Sequence, residues 1–200
     1  MISDADGITA VKAARLVVEA ETEDKLIQPD LPESFSASKQ GVFVTLNEYP
    51  SGILRGCIGY PIPPFELSRT LVLSARGACH DPRFPPLKSS QAGRCTVEVS
   101  ILTEPVKIEY ETIEELMSQI EIGKDGISVR YVRNSGLLNS AIFLPQVPVE
   151  QGWNLKEYLS YLCLKAGLQE DAWKSCALEF EKFQAEVFGE KEPRGEIVRL

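Results

Sequence analysis

The run G-V-F-V-T-L-N, Gly41 to Asn47, leads through E-Y-P-S-G into a second apolar-rich run, Ile53 to Tyr60. This pairing restricts the fold more than any other feature. Two such runs separated by Pro, Ser and Gly read as strands joined by a tight turn. They must run antiparallel, because a parallel pair needs a crossover of a dozen or more residues. Cys95 to Leu102 adds a third strand, with Val97, Val99 and Ile101 on one side and Glu98 and Ser100 on the other. Further strands are expected at Val106 to Tyr110, in a hairpin around Asp125-Gly126, at Leu137 to Leu144 after N-S-G, and at Ala177 to Phe188. Helical spacing predicts helices at Thr9 to Leu26, with Ser3, Asp4 and Asp6 as candidate caps, and at Phe65 to Cys79. Others are expected at Ile113 to Met117 and at Val149 to Ala166, where Trp153 reads as a core anchor and Gly167 as the C-cap. Strict strand–helix–strand alternation is missing. The expectation is an α+β fold with a mainly antiparallel sheet, a single domain over residues 8–190 with two lobes and a cleft between them as the alternative, and a loosely attached tail at 191–200. Each half shows hairpin strands followed by helix, a weak internal echo.

Composition narrows the function classes. At 44% hydrophobic residues, a chain of 200 buries a core without metal or disulfide staples. The net charge of −8 argues against a broad nucleic-acid footprint and against adhesion to anionic membranes. Five cysteines, no C-x-x-C pair and one histidine argue against a disulfide framework and a Cys/His zinc cluster. Reduced thiols fit a cytoplasmic protein. No signal-peptide pattern opens the chain, and no apolar run has the length of a membrane span. Nothing in the sequence calls for a metal or a cofactor.

L-R-G-C-I-G, Leu54 to Gly59, is the candidate site. In a regular strand, Leu54, Gly56 and Ile58 share one face, and Arg55, Cys57 and Gly59 share the other. With Leu54 and Ile58 in the core, Arg55 and Cys57 stand on the opposite face, their roots about 7 Å apart. A guanidinium beside a thiol favours the thiolate. Gly56 and Gly59 clear room for a ligand or another backbone. The competing reading is plain: free cysteine packs as a small hydrophobe, and glycine in a strand marks a bulge. His80-Asp81-Pro82-Arg83-Phe84 is a second candidate. His80 or Asp81 would act as a base to Cys57, and Arg83 would bind an anion. Alternatively, Asp81 and Arg83 brace the loop and Phe84 plugs the core. Gly123 to Gly126 lacks the spacing of a phosphate loop. The other four cysteines occupy apolar positions and read as packing.

L-R-G-C-I-G at 54–59, D-P-R-F-P-P at 81–86, V-E-V-S-I-L at 97–102, I-G-K-D-G-I at 122–127, L-P-Q-V at 144–147 and Q-G-W at 151–153 occur here in the order found in the AMMECR domain family, which this chain resembles from Val11 to Phe188. The family takes its name from a human chromosomal region linked to Alport syndrome, midface hypoplasia and elliptocytosis. K-A-G-L at 165–168 is similar to its prokaryotic, especially archaeal, branch. The resemblance implies a barrel-like, mainly antiparallel sheet with flanking helices, in two related halves. It marks the cleft beside the cysteine motif as the functional site. The positions it carries over are Leu54, Arg55, Gly56, Cys57, Ile58, Gly59, Asp81, Arg83 and Phe84; His80 is not among them. Association of relatives with Memo-like and radical-SAM proteins implies a place in an enzyme system.

Two functions follow. In the first, Cys57 is a nucleophile or substrate-carrying thiol, Arg55 its thiolate stabiliser, and Asp81 with Arg83 the orienting groups. In the second, the protein is a non-catalytic module that binds a peptide or a partner loop, Gly56 and Gly59 permit close approach, and Cys57 is passive.

Overall fold

Antiparallel pairing dominates the architecture, as the hairpin at Gly41 to Tyr60 requires. The computed structural model describes residues 2–132, 138–175 and 178–200. In chain order the first elements are α1 (Asp4–Glu21), α2 (Glu33–Ala37), β1 (Val42–Glu48), β2 (Ile53–Tyr60), α3 (Leu67–Cys79), α4 (Ser89–Ala92) and β3 (Cys95–Leu102). Then follow β4 (Val106–Lys107), α5 (Ile113–Ser118), β5 (Gly126–Val132), β6 (Leu138–Phe143), α6 (Gln146–Glu150) and α7 (Leu155–Lys165). A 3-10 turn (Ala172–Lys174), β7 (Glu179–Phe183), β8 (Ala185–Glu190) and β9 (Ile197–Arg199) complete the chain. Two compact units form, Met1–Thr103 with Glu186–Leu200, and Glu104–Ala185.

The first unit holds a five-stranded sheet in the order β2-β1-β3-β8-β9. Val44 of β1 pairs with Ile58 of β2 on one side and Val99 of β3 on the other. Val42, Val44 and Leu46 join Val97, Val99 and Ile101 on a sealed face. Burial of such side chains is the main favourable term of folding, about 1.5–3 kcal/mol each. α1 and α3 cover that face with Val11, Ala14, Val17 and Val18 and with Leu67, Leu71, Ala75 and Ala78. α1 begins at Asp4, five residues before the expected Thr9. The Ser3 hydroxyl accepts the Asp6 N–H at 3.1 Å, and Asp4 and Asp6 lie at the positive end of the helix. Gly7 lies within α1, where the Phe188 ring packs in the space a Cβ would take.

The tail is not loose. β9 pairs with β8, and Arg199 donates to Asp4 Oδ1 at 2.9 Å, Glu186 Oε1 at 3.0 Å and the Ile2 carbonyl at 3.0 Å. Deeper in the unit, Arg15 Nε donates to Glu190 Oε1 at 3.0 Å, and its Nη2 also meets that carboxylate. Arg15 Nη1 and Nη2 donate to the Ala92 and Cys95 carbonyls, while Glu190 Oε2 accepts the Val97 N–H at 3.0 Å. One buried ion pair thus ties α1, α4, β3 and β8.

The second unit holds a four-stranded sheet in the order β4-β7-β5-β6. Asn154 caps α7 by accepting the Lys156 and Glu157 N–H groups, and Glu157 reaches back to the Asn154 N–H. Tyr158, Leu159, Leu162 and Cys163 of α7 share a core with Ile127, Val129 and Phe180. The Tyr158 hydroxyl accepts the Ile127 N–H at 3.1 Å.

Several expectations change. Among the described residues neither sheet closes, so the barrel-like sheet is replaced by two open ones. The single strand expected at Ala177 to Phe188 is two strands, β7 and β8, which belong to different sheets. The helix expected at Val149 to Ala166 is split where Gly152 takes a φ of +67°. Trp153, in that break, stacks on Tyr161 at 4.3 Å and is only partly buried. Asp125-Gly126 does not join two strands: it ends a turn and starts β5, which pairs with β6 and β7. The expected N-S-G turn and Cys176 lie outside the described residues.

Glu190→Ala leaves the buried Arg15 guanidinium without its counter-ion. Urea denaturation of this variant is expected to show a loss of about 3–5 kcal/mol. A loss below about 1 kcal/mol, the size of an exposed pair, would mean that the pair is not a tie.

Candidate functional site

β2 is an edge strand, and it carries a bulge. Leu46 of β1 faces Gly56, and Asn47 faces Leu54, so Arg55 is an extra residue. A bulge sets two residues of one strand against one of its neighbour and shifts the alternation of faces. Gly56 and Ile58 therefore share the sealed side with Leu46 and Val44, and Cys57 stands opposite Thr45 on the other side. Leu54 falls on the side of Cys57 instead of in the core.

Arg55 follows Gly56 inward and is only 6% exposed. Its Nη2 donates to the Pro85 carbonyl at 2.7 Å and, at a long 3.4 Å, to Gln91 Oε1. The guanidinium carbon lies 5.9 Å from the centre of the Phe84 ring. Its charge acts on the Cys79 and Cys95 thiols. The expected partnership between Arg55 and Cys57 is absent, because the bulge turns the two to opposite sides of the strand.

Among the described cysteines, Cys57 alone is not buried. Thr45 Oγ1 donates to its Sγ at 3.2 Å. Burial pushes the Cys57 thiol up from its ordinary value; the Thr45 hydrogen bond and the Arg83 charge oppose this, and Glu98 and Asp81 add to it. The net direction is upward, toward a protonated thiol. Burial also pushes Cys79 up to about 12 and Cys163 to about 11.

The D-P-R-F loop reaches the backbone of the motif. Asp81 Oδ2 accepts the Cys57 N–H at 2.8 Å, and Arg83 Nη2 donates to the Cys57 carbonyl at 3.3 Å. The two side chains lock each other: Nε donates to Oδ1 at 3.0 Å and Nη2 to Oδ2 at 2.7 Å. The Arg83 N–H adds a third bond to Oδ1 at 3.0 Å. Together they occupy both outward-facing backbone groups of Cys57, as a neighbouring strand would. The Arg83 hydrogen bond, then the N–H groups of Cys57 and Arg83, hold the Asp81 carboxyl down at about 2 against the opposing effect of burial. A carboxylate held that low is a poor proton acceptor near neutrality. The Asp81 side chain is 1% exposed and that of Arg83 56%. Phe84 is half-buried, with the Arg83 guanidinium 5.6 Å from its centre. His80 turns away, its Nε2 3.0 Å from Glu21 Oε1, so no dyad with Cys57 forms.

The glycines serve the chain's own packing. A Cβ on Gly56 would stand 2.2 Å from the Ala78 carbonyl oxygen of α3. One on Gly59 would stand 2.3 Å from the Val42 carbonyl oxygen and 2.4 Å from the Phe43 ring. The approach they permit is of α3 and β1, not of a ligand. Sequence reasoning missed Thr45, Glu98 and Gln91. Thr45 was within reach of the hairpin pattern, but its place opposite Cys57 depends on a bulge that no local signal marks. Among the described residues, no group of three or more His, Cys, Asp or Glu side chains is arranged to hold a metal. No helix among them is long and apolar enough to cross a membrane.

A family model described as AMMECR1 matches residues 11–188, and both the cysteine strand and the D-P-R-F loop fall within it. This chain belongs to the AMMECR1 family. Within it, the chain is similar to protein MJ0810 of Methanocaldococcus jannaschii, with 44% identity over 96% of this chain and 94% of that protein. It is 46% identical to protein MK0488 of Methanopyrus kandleri, over 92% of this chain and 88% of that one. A bacterial relative, from Aquifex aeolicus, is 45% identical over 85% and 84%. The crystal structure of uncharacterized protein PH0010 from Pyrococcus horikoshii superposes with a TM-score of 0.88 at 41% identity, covering 100% of this chain and 98% of that one. The AMMECR1 chain has its motif in a capped edge strand.

The Asp81 clamp has a pH signature. Its carboxyl titrates at 3.8 when unperturbed and at about 2 in the folded protein. The stability it contributes is present above about pH 4 and is lost as the pH falls toward 2. Asp81→Asn is expected to lose roughly 2 kcal/mol at pH 7 in urea denaturation, and the gap from the parent is expected to narrow between pH 4 and 2. Parallel profiles would show that the clamp does not couple to folding.

Proposed function

We propose that this AMMECR1-family chain is a non-catalytic binding module that docks a protein segment on the loop at residues 81–86. One observation carries the reading: the cation beside the cysteine strand is locked in place yet open to solvent. Arg83 is fixed by two bonds to Asp81 and a third to the Cys57 carbonyl, while its side chain stays 56% exposed. A guanidinium ordered in advance loses little entropy on binding. Arginine and aromatic side chains are enriched where proteins meet, and Phe84 lies beside it. The segment that fits presents carboxylate or carbonyl oxygens to Arg83 and apolar surface to Phe84. Memo-like and radical-SAM proteins, implied by family resemblance, are the candidate partners.

The enzyme reading needs a thiolate. Cys57 instead has a Thr45 hydroxyl, partial burial and no contact with Arg55. Site-resolved alkylation against pH separates the two readings. The Cys57 rate is expected to reach half its maximum above pH 9 and, at pH 7, to fall below that of a free thiol. Cys57→Ala is expected to keep capture of a Memo-like or radical-SAM partner, and Arg83→Glu to lose it. Half-maximal alkylation below pH 7, or loss of capture in Cys57→Ala, would return the site to catalysis.

A further inference from the structure

The second unit has a hollow of about 680 Å³ whose walls come from α7 and from the segment at Glu170 to Lys174. Sites for small molecules run from about 300 to 1,000 Å³. Lys156 and Lys174 bring two ammonium groups to the wall, and Glu157, Glu170 and Asp171 bring three carboxylates. Glu157 is engaged elsewhere, because its Oε2 accepts the Asn154 N–H at 2.8 Å. Asp171 precedes the 3-10 turn but does not cap it with its side chain. Among the described residues, Lys156, Lys174, Glu170 and Asp171 form no ion pair. Two free charges of each sign therefore share one hollow without neutralising each other. Three carboxylates against two ammoniums disfavour a polyanion such as a nucleotide, and the two lysines disfavour a simple cation.

The uncharged part of the wall is ordered. Trp173 is 3% exposed, and its Nε1–H donates to Ser160 Oγ at 3.0 Å. Ser160 is the acceptor in that bond, which leaves its hydroxyl hydrogen to donate to a ligand oxygen. Tyr161 stacks on Trp153 with ring centres 4.3 Å apart, yet the residue stays 44% exposed and lines the hollow. A ring held on one face by another ring is a rigid platform for a third.

We infer that this hollow binds a zwitterionic peptide of two or three residues. The peptide carboxylate meets the lysines and the Ser160 hydroxyl, its ammonium group meets Glu170 and Asp171, and an aromatic side chain lies on Tyr161. A free amino acid fits less well: its two charges sit on one carbon, whereas the wall charges stand too far apart to pair. No bond is made or broken. The site belongs to the second unit and Arg83 to the first, so the inference does not depend on the docking reading.

Nuclear magnetic resonance of the ¹⁵N-labelled full chain tests this through the Trp173 indole N–H signal, assigned by triple resonance. Glycyl-phenylalanine is expected to shift the signal saturably. Its N-acetyl and amide forms, which each lack one charge, are expected to bind about 3-fold more weakly, the size of an exposed charge contact. Glycylglycine, without the ring, and free phenylalanine are also expected to bind at least about 3-fold more weakly. Adenosine monophosphate is expected not to compete. Lys156→Gln with Lys174→Gln, two exposed changes, is expected to abolish the preference for glycyl-phenylalanine over its amide. Asp171→Asn, also exposed, is expected to narrow the preference over the N-acetyl form. No saturable shift with glycyl-phenylalanine, equal binding of the blocked forms, stronger binding of adenosine monophosphate, or a preference over the amide that survives loss of both lysines would overturn the proposal.

Discussion

An edge strand has backbone donors and acceptors with no neighbour, and the first unit depends on how β2 satisfies this requirement. Exposed edges invite pairing with other chains, so folds cover or interrupt them. Here a carboxylate and a guanidinium, locked to each other, take the Cys57 N–H and C=O. The same loop accepts Arg55 at its Pro85 carbonyl, and α3, which leads into the loop, comes against Gly56 through Ala78. The two most distinctive stretches of the sequence are therefore two halves of one junction.

That junction explains residue choices that otherwise suggest catalysis. Asp81 is held ionised by Arg83 and two N–H groups, a state suited to accepting hydrogen bonds and not protons. Gly56 and Gly59 are small because backbone atoms of the same chain stand where a Cβ would go. Cys57 lies where a half-buried face needs a small side chain, and its sulfur accepts from Thr45. Arg83 keeps its side chain open to solvent, which supports protein docking, and Arg55 turns inward to the Pro85 carbonyl.

Much of the fold was legible because alternation of period two and helical spacing are local. The β1–β2 hairpin, the third strand β3 and the presence of helices at α3 and α7 follow from residues in sequence order. The bulge at Arg55 was not legible: it exists only in the register against β1, and one added residue moved Leu54 out of the core and Arg55 into it. The break at Gln184 between β7 and β8 was missed because the alternation around it is continuous, although the two strands serve different sheets. The tail looked loose because the partners of Arg199, such as Asp4, lie at the far end of the chain. The candidate residues were found; their partnerships, set by long-range packing, were not.

Amide hydrogen exchange at Cys57 tests the junction most directly. The account holds that this edge-strand N–H is protected by Asp81, so it should exchange far more slowly than an open edge amide, and Asp81→Ala should remove that protection while the β3 amides stay protected. Rapid exchange of the Cys57 N–H in the parent protein, or protection that survives Asp81→Ala, would contradict it.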